Sequence, residues 1–383
     1  MEIRLLGSLV ERKIGYGIVQ PGQSIDGGVP VIKVNNLITG LTSVKDLDTT
    51  STETAAKYSR TKLKGGELIV SVVGTIGKTA IVPAAFAGCN LVRATALIDI
   101  PEQWLSYWVK YYIDSPAGQA YIDQNLNTTV QPTLNIKSLV EMPIPFFDET
   151  LMKRAVAFLK TIDDKIATNN RINDNLQQQA MALYASMFLD NPALKTTAGT
   201  LKDIADITMG QSPSGSSYNE DGNGEVFYQG RAEFGYRFPT RRLYTTEPKR
   251  MAEAGDVLLS VRAPVGDLNV AYERCCIGRG LGAIHGRNGY QSFVLYTMFA
   301  LRPQLDVYNG EGTVFGSLHR NALNDMPIDI PSEDAISAFE AVVRPMDNMI
   351  RSNYEENCRL QELRASLLPR LMSGEVEVSD IDI

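Results

Sequence analysis

The chain has 383 residues, 44% hydrophobic and 21% charged, which is the composition of an ordinary folded protein long enough for two or more domains. No apolar run approaches the roughly 20 residues that span a bilayer, and the opening MEIRLLGSLVER lacks the apolar core and cleavage site of a signal peptide, so a cytoplasmic location without membrane partners is expected. Cys89, Cys275, Cys276 and Cys358 show no CxxC spacing and the histidines are only His285 and His319, which argues against a structural zinc site and for reduced thiols.

In chain order, residues 1–148 read as a first domain of mixed strands and helix. Strands are expected at Pro30–Val34, Glu67–Val73 and Leu97–Ile100, where Val and Ile cluster. Pro101 opens an aromatic-rich helix that is expected to run past Gly118 to Gln124, and Pro143 and Pro145 close the domain. Residues 149–191 form a first long helix without internal proline. Residues 192–331 form a second domain with a turn-rich stretch at 210–224. Residues 332–375 form a second long helix, which Pro345 should bend or divide and Gly374 should stop. An acidic tail occupies 376–383.

The two halves repeat. Gly66–Val82 (GELIVSVVGTIGKTAIV) returns as Gly255–Ala271 (GDVLLSVRAPVGDLNVA), and Leu134–Pro143 (LNIKSLVEMP) returns as Leu318–Pro327 (LHRNALNDMP). A repeated object with two similar faces suits a two-part, non-identical target, for which a bipartite DNA site is the obvious candidate.

Both long helices carry an unbroken 4-and-3 spacing, the pattern of a coiled-coil seam. In the first it runs through Ala155, Leu159, Ile162, Ile166, Asn169, Asn173, Leu176, Ala180, Leu183 and Met187. In the second it runs through Phe339, Val343, Met346, Ile350, Asn353, Asn357, Leu360, Arg364, Leu367 and Leu371. Each seam holds two asparagines at its midpoint. Antiparallel pairing would set Asn169 against Asn357 and Asn173 against Asn353. A slip of one heptad would then bury amides against leucine, at roughly 1–3 kcal/mol per unpaired group. A parallel pairing also matches asparagine to asparagine; the pseudo-symmetry of the domains favours antiparallel. From Ala155 to Met187 the helix is roughly 48 Å long, so antiparallel packing would separate the domains by about one DNA turn, ~34 Å.

Catalytic motifs do not emerge. Gly74–Thr79 (GTIGKT) resembles the end of a phosphate-binding loop, but the required earlier glycine is Val72, and the second copy lacks Lys and Thr altogether. No glycine fingerprint and no amino-methyltransferase loop is present, so the chain reads as a non-enzyme. The net charge of −7 opposes DNA binding by the chain alone. Basic residues are nevertheless concentrated: Lys57, Arg60, Lys62, Lys64, Lys78 and Arg93 face only Glu67 in their stretch. Candidate DNA contacts in the first domain are Asn35, Asn36, Lys57, Tyr58, Arg60, Lys78, Asn90 and Arg93. In the second they are Ser212, Ser214, Tyr228, Arg231, Tyr236, Arg237, Arg241, Arg242, Arg262 and Arg279. Arg93 and Arg279 hold matched places in RATALI and RGLGAI, which suits folding or backbone contact; unmatched loop residues would read bases.

The order of these pieces resembles the specificity (S) subunit of a type I restriction-modification enzyme. The resembling stretches are Gly-Gln-Ser-Pro-Ser at 210–214, Gly-Asp-Val-Leu-Leu-Ser at 255–260, Thr-Val-Gln-Pro-Thr-Leu-Asn at 129–135, the two Met-Pro-Ile stretches and Leu-Leu-Pro-Arg-Leu-Met-Ser-Gly-Glu at 367–375. The first copy departs at Gly15-Tyr16-Gly17-Ile18, where Gly-x-[ST]-Pro is usual. The resemblance implies an α+β protein with two α/β target recognition domains, separated by two long helices in an antiparallel coiled coil. It implies double-stranded DNA, two methyltransferase (M) subunits and motor-nuclease (R) subunits as partners. Cofactor chemistry would rest with S-adenosylmethionine in the M subunits and none in this chain. The competing reading is a repeated-domain scaffold that binds protein and lacks DNA specificity; a further one is a DNA-binding module that works alone or in another defence system.

Overall fold

The computed structural model describes residues 2–127, 132–309, 316–376 and 378. Thr129–Gln131 of the stretch quoted above, and most of the acidic tail, lie outside the described residues. The chain divides into two units, Met1–Thr168 with Glu356–Ile383, and Asn169–Glu355, so each unit takes part of both long helices. No helix among the described residues is long and apolar enough to cross a membrane.

The first unit is built on a four-stranded antiparallel sheet in the order Arg12–Tyr16, Thr95–Asp99, Leu68–Ser71, Thr79–Ile81. The strand Leu-Ile-Val-Ser at 68–71 is buried throughout, as a strand covered on both faces must be. Side chains alternate between faces. Leu68, Val70, Ala96 and Ile98 pack with Trp108, Met152, Leu159 and Leu367 from the helices. Ile69 and Leu97 pack on the other side with Ile32, Phe86 and Leu91, under a small sheet in which Val29–Ile32 runs parallel to Asn90–Leu91.

The second unit repeats the plan. Its antiparallel sheet has the order Ala205–Met209, Leu281–Gly286, Val257–Ser260, Leu268–Val270. Val257, Leu259 and Ile284 face Phe293, Phe339 and Val343. Leu258 and Ala283 face Tyr228, Cys275 and Ile277, where Glu225–Tyr228 runs parallel to Cys275–Ile277. In both units the first strand of the domain pairs antiparallel with its last: Glu2–Leu5 with Pro143–Phe146, and Thr196–Thr200 with Pro327–Pro331.

The expected single helix from Pro101 to Gln124 is two helices, Gln103–Asp114 and Pro116–Gln124. Pro116 has no N–H to donate and forces the preceding residue out of the helical region. Ser115 is accordingly extended (φ −72°, ψ 158°), and its hydroxyl accepts from Gly118 N at 3.2 Å to cap the second helix. The first long helix is α-helical over Glu149–Tyr184 and ends in a π-helical turn, Ala185–Leu189. The second spans Glu333–Ser373, and Pro345 does not divide it. Pro345 and Ala341, whose carbonyl loses its N–H donor, are both exposed, so water can take that bond. Gly374 (φ 72°) ends this helix: its N–H bonds to Leu371 O and Glu375 N to Arg370 O, the 5→2 and 6→1 pair of a Schellman turn.

Within each unit the two long-helix segments run antiparallel. In the first, Lys165 pairs with Glu356 at 3.0 Å and Asp163 with Arg364 at 3.1 Å. In the second, Asn353 Nδ2 donates to Asn173 Oδ1 at 2.8 Å, and the rings of Tyr184 and Phe339 lie 5.7 Å apart. Asn169 and Asn357 are buried as well.

Candidate nucleic-acid interface

The hairpin turn after the central strand is built identically in both units. Ser71 Oγ donates to Thr75 O at 2.6 Å and accepts from Lys78 N at 2.8 Å, while Gly77 N donates to Ser71 O. In the second unit Ser260 Oγ donates to Pro264 O at 2.9 Å and accepts from Asp267 N at 2.9 Å, while Gly266 N donates to Ser260 O. Gly77 and Gly266 adopt φ of 79° and 101°, where a side chain would be strained. The GTIGKT stretch is therefore a β-turn scaffold. The residue leaving the turn differs: Lys78 is exposed, whereas Asp267 holds Arg231 and, at 3.0 Å, Arg302. Partial burial opposes ionisation of Asp267, but the two arginines outweigh it and hold its carboxyl below the ordinary value.

Beside this turn each unit forms a second matched feature. The strand end crosses a returning segment, Val73 bridging Thr133 in the first unit and Arg262 bridging Ser317 in the second. Leu134 N bonds to Val72 O, and Leu318 N to Val261 O, both at 2.9 Å. A loop from the first sheet strand passes over the same place. Ile18 N donates to Leu91 O and Gln211 N to Ile277 O. A Cβ on Gly17 would stand 2.1 Å from Leu91 O, and one on Gly210 2.1 Å from Gly278 O, so only glycine fits at either crossing. The first loop thus follows the second despite lacking the usual Ser/Thr-Pro. In the second unit these pieces enclose a cleft of about 620 Å³ whose walls include Met209, Arg262, Arg279, Ser317 and His319.

The candidate contacts divide by environment. Three are corrected. Asn90 is 1% exposed; it accepts from Thr61 Oγ1 at 2.8 Å and donates to Tyr58 O at 3.2 Å, tying down its own loop. Tyr228 is fully buried in the core under the sheet. Arg237 is 5% exposed, paired with Asp347 and bonded to Gln177 Oε1 at 3.1 Å. None of the three reaches a surface where DNA could touch it. Others are exposed but already engaged: Lys57 with Glu53, Arg231 with Asp267, Arg241 with Glu273 and Arg242 with Glu233. Asn36 Oδ1 caps its helix by accepting from Lys33 N, and Ser214 bonds Ser216. Ser212 Oγ accepts from Arg279 N at 3.2 Å. Asn35 and Tyr236 are exposed and Tyr58 is half-buried. Arg60, Lys78, Arg93, Arg262 and Arg279 are exposed and make no ion pair among the described residues.

The cleft also contains residues that were not candidates, Ser317 and His319, with Thr133 and Asn135 at the matched places of the first unit. A signal for them existed, since Asn135 and His319 are the second residues of the repeated stretches 134–143 and 318–327, and Thr133 and Ser317 immediately precede those stretches. Among the described residues no group of three His, Cys, Asp or Glu side chains could hold a metal ion.

Residues 2–178 match the family described as the type I restriction modification DNA specificity domain. The chain is 26% identical over 409 aligned positions to a protein named as the type I restriction enzyme MjaX specificity subunit of Methanocaldococcus jannaschii, covering 98% of this chain and 94% of that one. It is 28% identical over 199 positions to the type I restriction enzyme EcoBI specificity subunit of Escherichia coli, over 48% of this chain and 42% of that one. The type I restriction-modification system S subunit from M. genitalium shares the fold, with a TM-score of 0.54 at 14% identity, over 97% of this chain and 95% of that one. Residues 2–178 of this mixed helix-and-sheet protein thus resemble a DNA specificity domain. Nearly the whole chain is similar to a type I restriction enzyme specificity subunit.

Proposed function

We propose that each unit is a target recognition domain reading one half of a bipartite, asymmetric DNA site. The long helices pair as an antiparallel coiled coil along their length, set the spacer between the half-sites and dock two methyltransferase subunits. The chain itself is non-catalytic and works in the cytoplasm; S-adenosylmethionine and adenine methylation belong to the M subunits, and motor-nuclease subunits join for cleavage. One observation carries this reading. Two units share the same turn, the same strand crossing and the same glycine passage, yet present different side chains there: Lys78 against Asp267, Val73 against Arg262, Thr133 against Ser317, Asn135 against His319. One scaffold with two sets of contact groups is what an asymmetric target requires. The net charge of −7 is accommodated if the partners supply part of the positive field.

The test is genome-wide methylation mapping in cells that express this chain with a cognate methyltransferase subunit. A split adenine-methylated motif that disappears when this chain is deleted supports the reading. A soluble complex whose methylation ignores the deletion supports a protein-interaction scaffold instead.

A further inference from the structure

The cleft of the second unit brings together two arginines that make no ion pair among the described residues, Arg262 and Arg279. Like charges in one cleft are unfavourable unless an acceptor-rich ligand joins them. The acid of the adjoining turn, Asp267, is already held by Arg231 and Arg302 and does not serve them. The cleft is therefore suited to an anionic ligand carrying further acceptors, which describes a DNA backbone beside a base edge.

The two arginines differ in one respect. Arg279 has a counterpart, Arg93, at the same station of the first unit. Each follows the short inner strand, and each backbone N–H is held by the passing loop, Arg93 N by Ile18 O at 2.7 Å and Arg279 N by Ser212 Oγ at 3.2 Å. Arg262 has none. Its place in the first unit, with the same bridge to the returning segment, is taken by Val73. The backbone of Arg262 is pinned on both sides, by the bridge to Ser317 and by Ala263 N bonding Gly316 O at 3.1 Å, so its side chain projects from a fixed point.

Resting on the reading that the units bind DNA, we propose that Arg93 and Arg279 are phosphate contacts common to both units, and that Arg262 reads a guanine in the half-site of the second unit. A phosphate is the same at every position, so a contact to it is kept when the half-site changes; a base contact is replaced. An arginine fork matches the O6 and N7 acceptors of guanine in the major groove. Val73, without a donor, leaves the corresponding base of the other half-site unread by this station.

The test uses the complete complex of this chain with its methyltransferase subunits, comparing methylated motifs and salt-dependent DNA binding for R262A, R262K, R279A and R93A. R262A should relax one guanine position in one half-site and leave the other half intact. R262K keeps the charge but loses the fork, so it should relax the same position. R279A and R93A should lower methylation of all sites without changing the motif, each reducing the slope of log affinity against log salt by about one. A motif unchanged in both Arg262 variants, or a base position relaxed by R279A or R93A, would overturn the assignment while leaving the half-site reading intact. A parent complex that methylates no split motif would overturn both.

Discussion

Asn353 donates its side-chain amide to the Asn173 carbonyl oxygen at 2.8 Å, with both residues more than nine-tenths buried. The seam is apolar on one side of the pair, with Ile350 buried and Leu176 packed on the same core, while the next seam positions on the other side are the buried Asn169 and Asn357. A buried amide bonded to its own kind is satisfied in one register and unsatisfied in the next.

N173L should therefore destabilise the protein by about 1–3 kcal/mol, because it strands the Asn353 amide in an apolar layer. The double variant N173L/N353L should recover most of that loss and admit a shifted helix register. Urea denaturation of the two variants, with cysteine cross-linking across the seam, checks both parts. Additive losses in the double variant would refute the coupling.

Arg237 entered as a DNA contact and emerges as a strut. It spans from the second domain to the helix pair, where Asp347 also accepts from Ser292 Oγ at 2.7 Å and Tyr296 Oη at 3.0 Å. R237M should cost about 3 kcal/mol, the low end for stripping one partner from a buried pair, since Asp347 keeps its hydroxyl donors. Thermal unfolding should register that loss, and the methylated motif should not change. An altered motif at unchanged stability would return Arg237 to the interface.

Glu340 is 5% exposed, with Oε1 accepting from Phe293 N at 2.8 Å in the first turn of the helix Gln291–Ala300. Burial raises its pKa; the Phe293 bond and Arg344 pull the other way without reversing it. The folded carboxyl thus holds its proton to higher pH than the unfolded one. Stability from this group is full below the unfolded value and is lost as pH rises through the folded one. E340Q keeps the acceptor and removes the charge, so it should melt higher than the parent at pH 7. The gap should close as the pH falls below the ordinary carboxylate range. A lower melting temperature at pH 7 would contradict this.

If the helices set the spacer, removing one matched heptad from each should shorten the distance between half-sites. Seven residues correspond to ~10 Å of helix, or about three base pairs. Methylation mapping should then show both half-sites unchanged with a shorter gap between them. An unaltered gap would sink the ruler role.

Much of the architecture was written in local pattern. The buried strand Leu68–Ser71 and its twin Val257–Ser260 are each three apolar residues closed by a serine; the long helices carry their 4-and-3 seam in plain view; Gly374 stops the second helix by the left-handed turn that glycine permits. These features depend on neighbours a few residues away, so periodicity and turn chemistry suffice to find them. The Ser115–Pro116 break was equally local. An aromatic run suggested continuity, but a missing N–H cannot be offset by hydrophobicity.

The contact surface was not local. Arg237 and Arg262 are the same residue type in similarly basic stretches, yet one is buried against Asp347 on the second long helix and the other is exposed in a cleft. Asn90 and Asn35 differ in the same way, one turned into its loop and the other exposed. Ser317 and His319 join Arg262 only because a distant segment bridges the end of its strand. Sequence alone determined the repeat, the buried strand after Glu67 and the 4-and-3 spacing of the long helices, because backbone propensity and apolar period act over a few residues; the expected strand Pro30–Val34 instead ends at Ile32, and Val34 opens a helix. Tertiary structure decided which charges are already paired and which still face solvent, because ion pairing and burial depend on partners that only folding brings together.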